Sequence, residues 1–137
     1  MQHTLLLIKP NACKLNLIGR IIDMVERNSF VVKDIKMFWM SDTTAYKFYE
    51  IHKEKPFFHN LLDFMTSGNT VAVILEKENA VDDLRLLVGN TDPSQANPGT
   101  IRYLYGESTT INAVHASDSA DNALREIEII FNTNKEN

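Results

Sequence analysis

A chain of 137 residues suits one domain, spanning residues 1–137, with a single core that withdraws roughly two-thirds of the unfolded surface from water. Its 44% hydrophobic and 23% charged residues are the composition of an ordinary globule, and no apolar run approaches the length of a membrane span. A net charge of −4 and a pI near 5.5 give no general attraction to nucleic acid or to anionic membrane, so a polyanionic ligand has to find a local basic site.

The first ten residues lack the basic region and small-residue cleavage site of a signal peptide, which points to a cytoplasmic protein. Residues 4–8 read as a short apolar strand ending at Lys9-Pro10. Cys13 is the only cysteine, so no internal disulfide can form, and it reads as a buried or idle thiol. Helical spacing runs through Leu17, Ile18, Ile21, Ile22 and Val25, and a β-rich stretch covers residues 30–39. Ser41 or Asp42 can cap a helix reaching Ile51, and residues 57–65 form another apolar-faced helix after Pro56. Ser67-Gly68-Asn69 reads as a turn, residues 71–75 as a buried strand, 79–88 as a helix stopped by Gly89, and 91–99 as a proline-containing loop. Residues 111–115 supply a fourth strand. The last helix, residues 119–131, takes Ser119 as N-cap and Leu124, Ile127 and Phe131 as its buried stripe, and residues 132–137 read as a frayed tail. This order fits a ferredoxin-like α+β sandwich, a βαββαβ core with an antiparallel four-stranded sheet and additional helices inserted after the second strand. The fold alone names no function.

The segment Asn112-Ala113-Val114-His115-Ala116-Ser117-Asp118-Ser119 sets one imidazole among small polar residues. A neutral imidazole, with an unperturbed pKa of about 6.5, can act as base, metal ligand or nucleophile. His3, His52 and His59 stand singly in unrelated segments, which argues against zinc, and no Gly-x-Ser-x-Gly elbow supports a serine triad. What remains for His115 is a nucleophile or proton carrier held by a partner acid. Glu126 is the candidate: it lies four residues after Asn122 on one face of the last helix, and beside the strand its carboxylate would fix which ring nitrogen stays free. Taken alone, these residues also fit a loop histidine and a solvated glutamate. Lys9, Arg85 and Arg102 stand beside turn residues instead of on an obvious solvated helix face, and are candidates for the local basic site or for surface ion pairs.

Several short motifs recur in register from residue 4 to residue 131: Leu-Ile-Lys9-Pro-Asn-Ala, Phe-Tyr49, Lys55-Pro56-Phe57-Phe58, Phe64-Met-x-Ser-Gly68, Arg85 followed by Gly89-x-Thr91-x-Pro93, Pro98-Gly99-Thr100-Ile101-Arg102, and Asn112-x-x-His115-x-Ser117-Asp118-Ser119. Together they make the chain resemble the nucleoside diphosphate kinases. The resemblance implies reversible transfer of the γ-phosphoryl group from a nucleoside triphosphate, usually ATP, to a nucleoside diphosphate, maintaining NTP and dNTP pools. The route is ping-pong, with His115 carrying the phosphate on Nδ1 and Glu126 orienting the ring. It makes Lys9, Arg85 and Arg102 the phosphate-charge partners, Tyr49 the group behind the imidazole and Thr91 a phosphate-binding hydroxyl. Phe57 becomes the base-stacking platform with Leu61 beside it, Asn112 the ribose contact, and Ser117 a partner of Glu126. Mg²⁺ is expected to ride on nucleotide phosphates and water with no protein ligand set. Partners are expected to be nucleotides and further copies of the chain, as a tetramer or hexamer, with neither membrane nor nucleic acid as main ligand.

Four departures from the family pattern stand out. Ala116 takes the place of the glycine after the nucleophile, Asp92 that of the asparagine before Pro93, and Tyr103 that of a small residue. Thr109, Thr110 and Ile111 replace an apolar residue, a glycine and an arginine. Ala116 and Asp92 also support a rival expectation, a nucleotide-binding regulatory relative with weakened catalysis. A histidine phosphocarrier serving protein acceptors is the other.

Overall fold

Strand β1, Gln2–Ile8, contains Leu5, Leu6, Leu7 and Ile8, none of them exposed. An apolar run without polar alternation belongs to a strand covered on both faces. Accordingly β1 lies inside the sheet, antiparallel to β3 (Asn69–Lys77) on one side and to β4 (Val114–Ala116) on the other. Strand β2, Val31–Trp39, pairs antiparallel with the far edge of β3 through one irregularity between Val32 and Asp34, completing the order β2-β3-β1-β4. This is the antiparallel sheet of the expected ferredoxin-like α+β sandwich. The computed structural model describes residues 1–132. Of the expected frayed tail, only Asn132 falls within them, and it closes the last helix by donating its amide to the Glu128 carbonyl; residues 133–137 lie outside the described residues.

Because successive side chains of a strand point to opposite faces, β1 feeds two cores. Leu6 and Ile8 join Val71, Val73 and Leu75 under α1 (Pro10–Lys14), α2 (Ile18–Arg27), α5 (Ala80–Val88) and α6 (Ile101–Tyr105). Leu5 and Leu7 join Ala72 under α3 (Asp42–Tyr49), α4 (Phe58–Met65) and α7 (Ala120–Phe131). Side-chain caps begin three of these helices: the hydroxyls of Ser41, Thr100 and Ser119 accept from the amides of Thr44, Tyr103 and Asn122.

Several boundaries differ from expectation for local reasons. The expected helix to Ile51 ends at Tyr49 and tightens into a 3-10 turn, Glu50–His52. The fourth strand starts three residues late, because Ala113 adopts φ 77° and the carbonyl of Ile111 is taken by the amides of Glu107 and Ser108. Helices α1 and α6 are additional to the expected elements; each is only five residues long and leaves too little periodicity to read. The stripe assigned to the last helix is also corrected. Leu124 is 64% exposed, and the buried face is Ala123, Glu126 and Ile130, with Ile127 and Phe131 only partly covered. No helix among the described residues is long and apolar enough to cross a membrane.

The contrast between Leu84 in the core and Leu124 on the surface sets a test. Leu84→Ala should lower stability by about 2–5 kcal/mol through lost burial and the cavity left behind, whereas Leu124→Ala should stay within about 0.5 kcal/mol of wild type, both read from urea unfolding.

Candidate active site

Lys9 follows the last residue of β1, where the strand runs out under Pro10 of α1, and only 5% of it is exposed. Its amide donates to the carbonyl of Ala113 (2.8 Å), and its ammonium donates to Asn112 Oδ1 (2.8 Å) and to the Thr110 carbonyl (3.4 Å). Asn112, 1% exposed, spends both amide hydrogens on the carbonyls of Thr91 and Thr109, each at 3.0 Å. One asparagine thus ties the end of β1 to the loops around residues 91 and 109. Burial, then the charge of Arg102, lowers the Lys9 pKa from 10.5 to about 7.

His115 sits at the centre of β4 opposite Leu7. Cross-strand partners share a face, so the imidazole points to the side of α3 and α7. There the rings of Phe48 and Tyr49 meet it in edge-to-face geometry, with centroids at 5.0 and 6.3 Å. Nε2 meets Glu126 Oε1 at 2.8 Å, and the Ser117 hydroxyl donates to the same oxygen at 2.6 Å. A carboxylate only accepts, so Nε2 carries the proton and Nδ1 keeps its lone pair. Nδ1 has no hydrogen-bond partner among the described residues, and the ring lines the cavity. The Tyr49 hydroxyl, which belongs to the cavity wall, is also buried without a partner; burial and the charge of Glu126 hold it above the usual phenol range.

Arg85 sits on α5, within the helix expected over residues 79–88, and Arg102 on α6, a helix that no expected element covers. Arg102 donates through Nη1 to the Gly89 carbonyl (2.9 Å) and through Nη2 to the Val114 carbonyl (3.0 Å), while its Nε is buried without a partner. Burial and then Arg85 lower its pKa to about 10. The Gly89 carbonyl reaches Arg102 because this residue ends α5 at φ 90°, and a Cβ there would lie 2.5 Å from Thr100 Oγ1. Arg85 is exposed and forms no hydrogen bond or ion pair among the described residues.

These groups share one cavity of about 940 Å³. Lys9, Tyr49, Phe57, Leu61, Arg85, Thr91, Arg102, Asn112, His115 and Glu126 line it; Ser117, fully buried, stands behind Glu126 and does not. Phe57 is 41% exposed just ahead of α4, its ring beside that of His52, and Leu61 follows one helical turn later. Among the lining residues with no role assigned from sequence are His52, Asp118 and Asn122. Their only signal is spacing, three residues after Tyr49 and four before Glu126, without a chemistry attached. Asn122 donates to Asp118 Oδ1 (2.7 Å) and holds that carboxyl below its usual range, while burial and then Lys55 depress His52.

The departures resolve locally. Asp92 is not part of the cavity wall: its Oδ1 accepts from the amide (3.0 Å) and hydroxyl (2.8 Å) of Ser94, capping the 3-10 turn Pro93–Gln95. Ala116 lines the cavity but avoids the left-handed region that would demand glycine. Thr109 and Thr110 both contribute to the wall, and Tyr103 is 51% exposed. Among the described residues no three His, Cys, Asp or Glu side chains cluster to hold a metal ion.

The nucleoside diphosphate kinase family model matches residues 2–136. A nucleoside diphosphate kinase of Nitratiruptor sp. is 51% identical over 131 residues, 96% of either chain, and one of Lawsonia intracellularis is 50% identical over 132 residues, again 96% of either chain. Among solved structures, the Aquifex aeolicus nucleoside diphosphate kinase superposes with a TM-score of 0.93 at 40% identity, over 95% of this chain and 94% of that one.

The buried lysine gives a pH test. Between about pH 7 and 10.5 the unfolded chain keeps a proton on Lys9 that the folded chain has released, so this group makes stability rise with pH; below pH 7 the folded state carries the whole cost of the buried ammonium. Unfolding free energies from urea melts at the two ends of that window should differ more in wild type than in Lys9→Met, by an amount on the order of a few kcal/mol.

Proposed function

The chain belongs to the nucleoside diphosphate kinase family, and from that premise we propose how its own residues move a phosphoryl group between nucleotides. The enzyme is a nucleotide phosphotransferase. His115 is its nucleophile. As the Nδ1–P bond forms, the bond from the γ-phosphorus to the bridging oxygen breaks, and the nucleoside diphosphate leaves with that electron pair. The Nε2 proton stays in its hydrogen bond to Glu126, so the positive charge gathered on the ring faces a carboxylate. A second nucleoside diphosphate then reverses the step, giving the ping-pong route. The observation that carries this reading is the 2.8 Å contact of Nε2 with Glu126, which leaves Nδ1 as the free nitrogen in the cavity.

Lys9, Arg85 and Arg102 answer the phosphate charge, the lysine as a point charge and Arg85 as a free fork. Tyr49, buried without an acceptor, donates to a phosphate oxygen, and Thr91 offers a second hydroxyl at the wall. The base lies on Phe57 with Leu61 beside it, and stacking reads few base edges, which suits broad nucleotide specificity. Both hydrogens of the Asn112 amide are committed, so a ribose hydroxyl meets its Oδ1 together with Lys9. Ser117 keeps the Glu126 carboxylate turned toward the ring.

The donor set suits Mg²⁺ arriving on the phosphates: three cationic side chains line the cavity, no carboxylate cage is present among the described residues, and Asp118 is a carboxylate able to accept from a bound water. When bound, the cation neutralises phosphate charge. Residues 1–137 act as a single domain in the cytoplasm and supply NTP and dNTP pools. The subunits assemble as a tetramer or hexamer; the edge strand β2 supports association, because its row of Ile35, Met37 and Trp39 is about half exposed or more beside an unpaired backbone edge. The rival reading of a weakened regulatory relative loses its support, since Asp92 is turned to Ser94 and Ala116 needs no left-handed backbone.

Incubation with γ-labelled ATP and Mg²⁺ should place acid-labile, base-stable label on wild type and none on His115→Ala, and a different nucleoside diphosphate should discharge it into the new triphosphate. Label surviving in folded His115→Ala, or failing to appear on wild type, would reject His115 as the carrier. Sedimentation of the same preparation should give a mass above that of one chain.

A further inference from the structure

Arg125 is next to Glu126 on α7, and neighbours on a helix project about 100° apart, so one helix reaches two places at once. Glu126 takes the imidazole. Arg125 turns to α3, where its Nη2 donates to the carbonyl of Lys47 at 2.5 Å and to that of Phe48 at 3.3 Å. These carbonyls belong to the last turn of α3, where a helix leaves oxygens without an i+4 amide, and a cation there also meets the negative end of the helix dipole. The turn matters because of what it carries. Phe48, 1% exposed, and Tyr49, 4% exposed, stand edge-on to His115 and to each other, and the chain then tightens into the 3-10 turn that ends at His52.

We propose that Arg125 is a positioning residue for phosphoryl transfer: by gripping the end of α3 it holds Phe48 and Tyr49 as the wall that fixes the plane of the His115 ring. The proposal rests on the reading of His115 as nucleophile. Glu126 fixes the ring at one nitrogen, which leaves rotation about that hydrogen bond open; the two near-perpendicular aromatic rings close it. Arg125 lines no part of the cavity and touches no reacting atom, so its effect passes through α3. Its remaining Nη1 is buried without a partner, a placement that favours the clamp over the residue's own solvation.

The test compares wild type, Arg125→Met and Arg125→Lys by three readings: the rate of His115 phosphorylation at saturating Mg²⁺-ATP in rapid quench, the nucleotide dissociation constant, and the ¹⁵N signals of the His115 ring. The expected result for Arg125→Met is a roughly tenfold slower saturating rate with nucleotide affinity within about twofold of wild type, because misplacement of a nucleophile acts on the chemical step. Its ring signals should broaden or split over several ring orientations while the proton stays on Nε2, and Arg125→Lys, able to reach one carbonyl, should fall between the two. A folded Arg125→Met that phosphorylates at the wild-type rate overturns the proposal, as does a loss confined to affinity, which would mark a purely structural tether. If Arg125→Met fails to fold, Arg125→Lys decides: a slower rate at unchanged affinity supports the clamp and a wild-type rate rejects it. Absence of label on wild-type His115 would instead remove the reading of the nucleophile itself, and this proposal with it.

Discussion

The carboxylate of Glu126 stands on the buried face of α7 between Ala123 and Ile130, 3% exposed, where a helix would ordinarily place an apolar side chain. A charge left unpaired at such a depth destabilises a protein by about 3–5 kcal/mol, so its partners are obligatory. Both come from the segment that includes β4: the His115 ring and the Ser117 hydroxyl converge on one oxygen. The amide of Ser117 also continues the pairing with Leu5, which carries the register past the end of the strand. Packing α7 against β1 and aiming the imidazole are therefore one event. The fold is satisfied only when the ring is oriented, and the ring is oriented only in the fold.

A second constraint is the excess of positive charge at the end of β1. Among the described residues no carboxylate neutralises Lys9 or Arg102; they rest on an asparagine and on backbone carbonyls. The described ion pairs stand elsewhere or belong to the histidine: His3 with Glu76, Arg27 with Asp23, Lys77 with Asp83, and His115 with Glu126. Lys9 is depressed partly by Arg102, and Arg102 partly by Arg85, so the three cations oppose one another until an anion arrives. In a chain of net charge −4 that local field, focused by a partly closed cavity, decides where a polyphosphate settles.

Much of this is legible in the residues. Apolar β1, the cap at Ser119 and the glycine stop at residue 89 each follow from one local rule and stand where those rules put them. The convergence of His115, Glu126 and Lys9 comes from motif order, since no periodicity could say that residues 9 and 112 touch. What escapes the sequence does so for physical reasons. Ala113 takes a backbone conformation for which no glycine gives warning, and so the last strand begins later than its apolar residues suggest. The expected stripe on α7 runs through leucine because hydropathy treats a carboxylate as a surface group; pairing with His115 reverses that preference at Glu126. Arg102 looks like a loop residue because its neighbours are turn formers, although it belongs to α6. His52, Asp118 and Asn122 reach the cavity through tertiary placement alone.

The bond between Lys9 and Asn112 joins residues 103 positions apart, and the strand that leads into Lys9 pairs, among the described residues, with β3 and β4, both far downstream. Long-range pairing of this kind is slow to form, and synthesis delivers the N-terminal segment first. On the ribosome, β1 must wait with four consecutive aliphatic side chains and both backbone edges bare until β3 emerges, and one edge stays open until β4 follows. Such an edge is a template for unwanted pairing. The nascent chain therefore covers this edge only when β4, which carries His115, closes on β1, and α7 must follow to bring Glu126 to the ring.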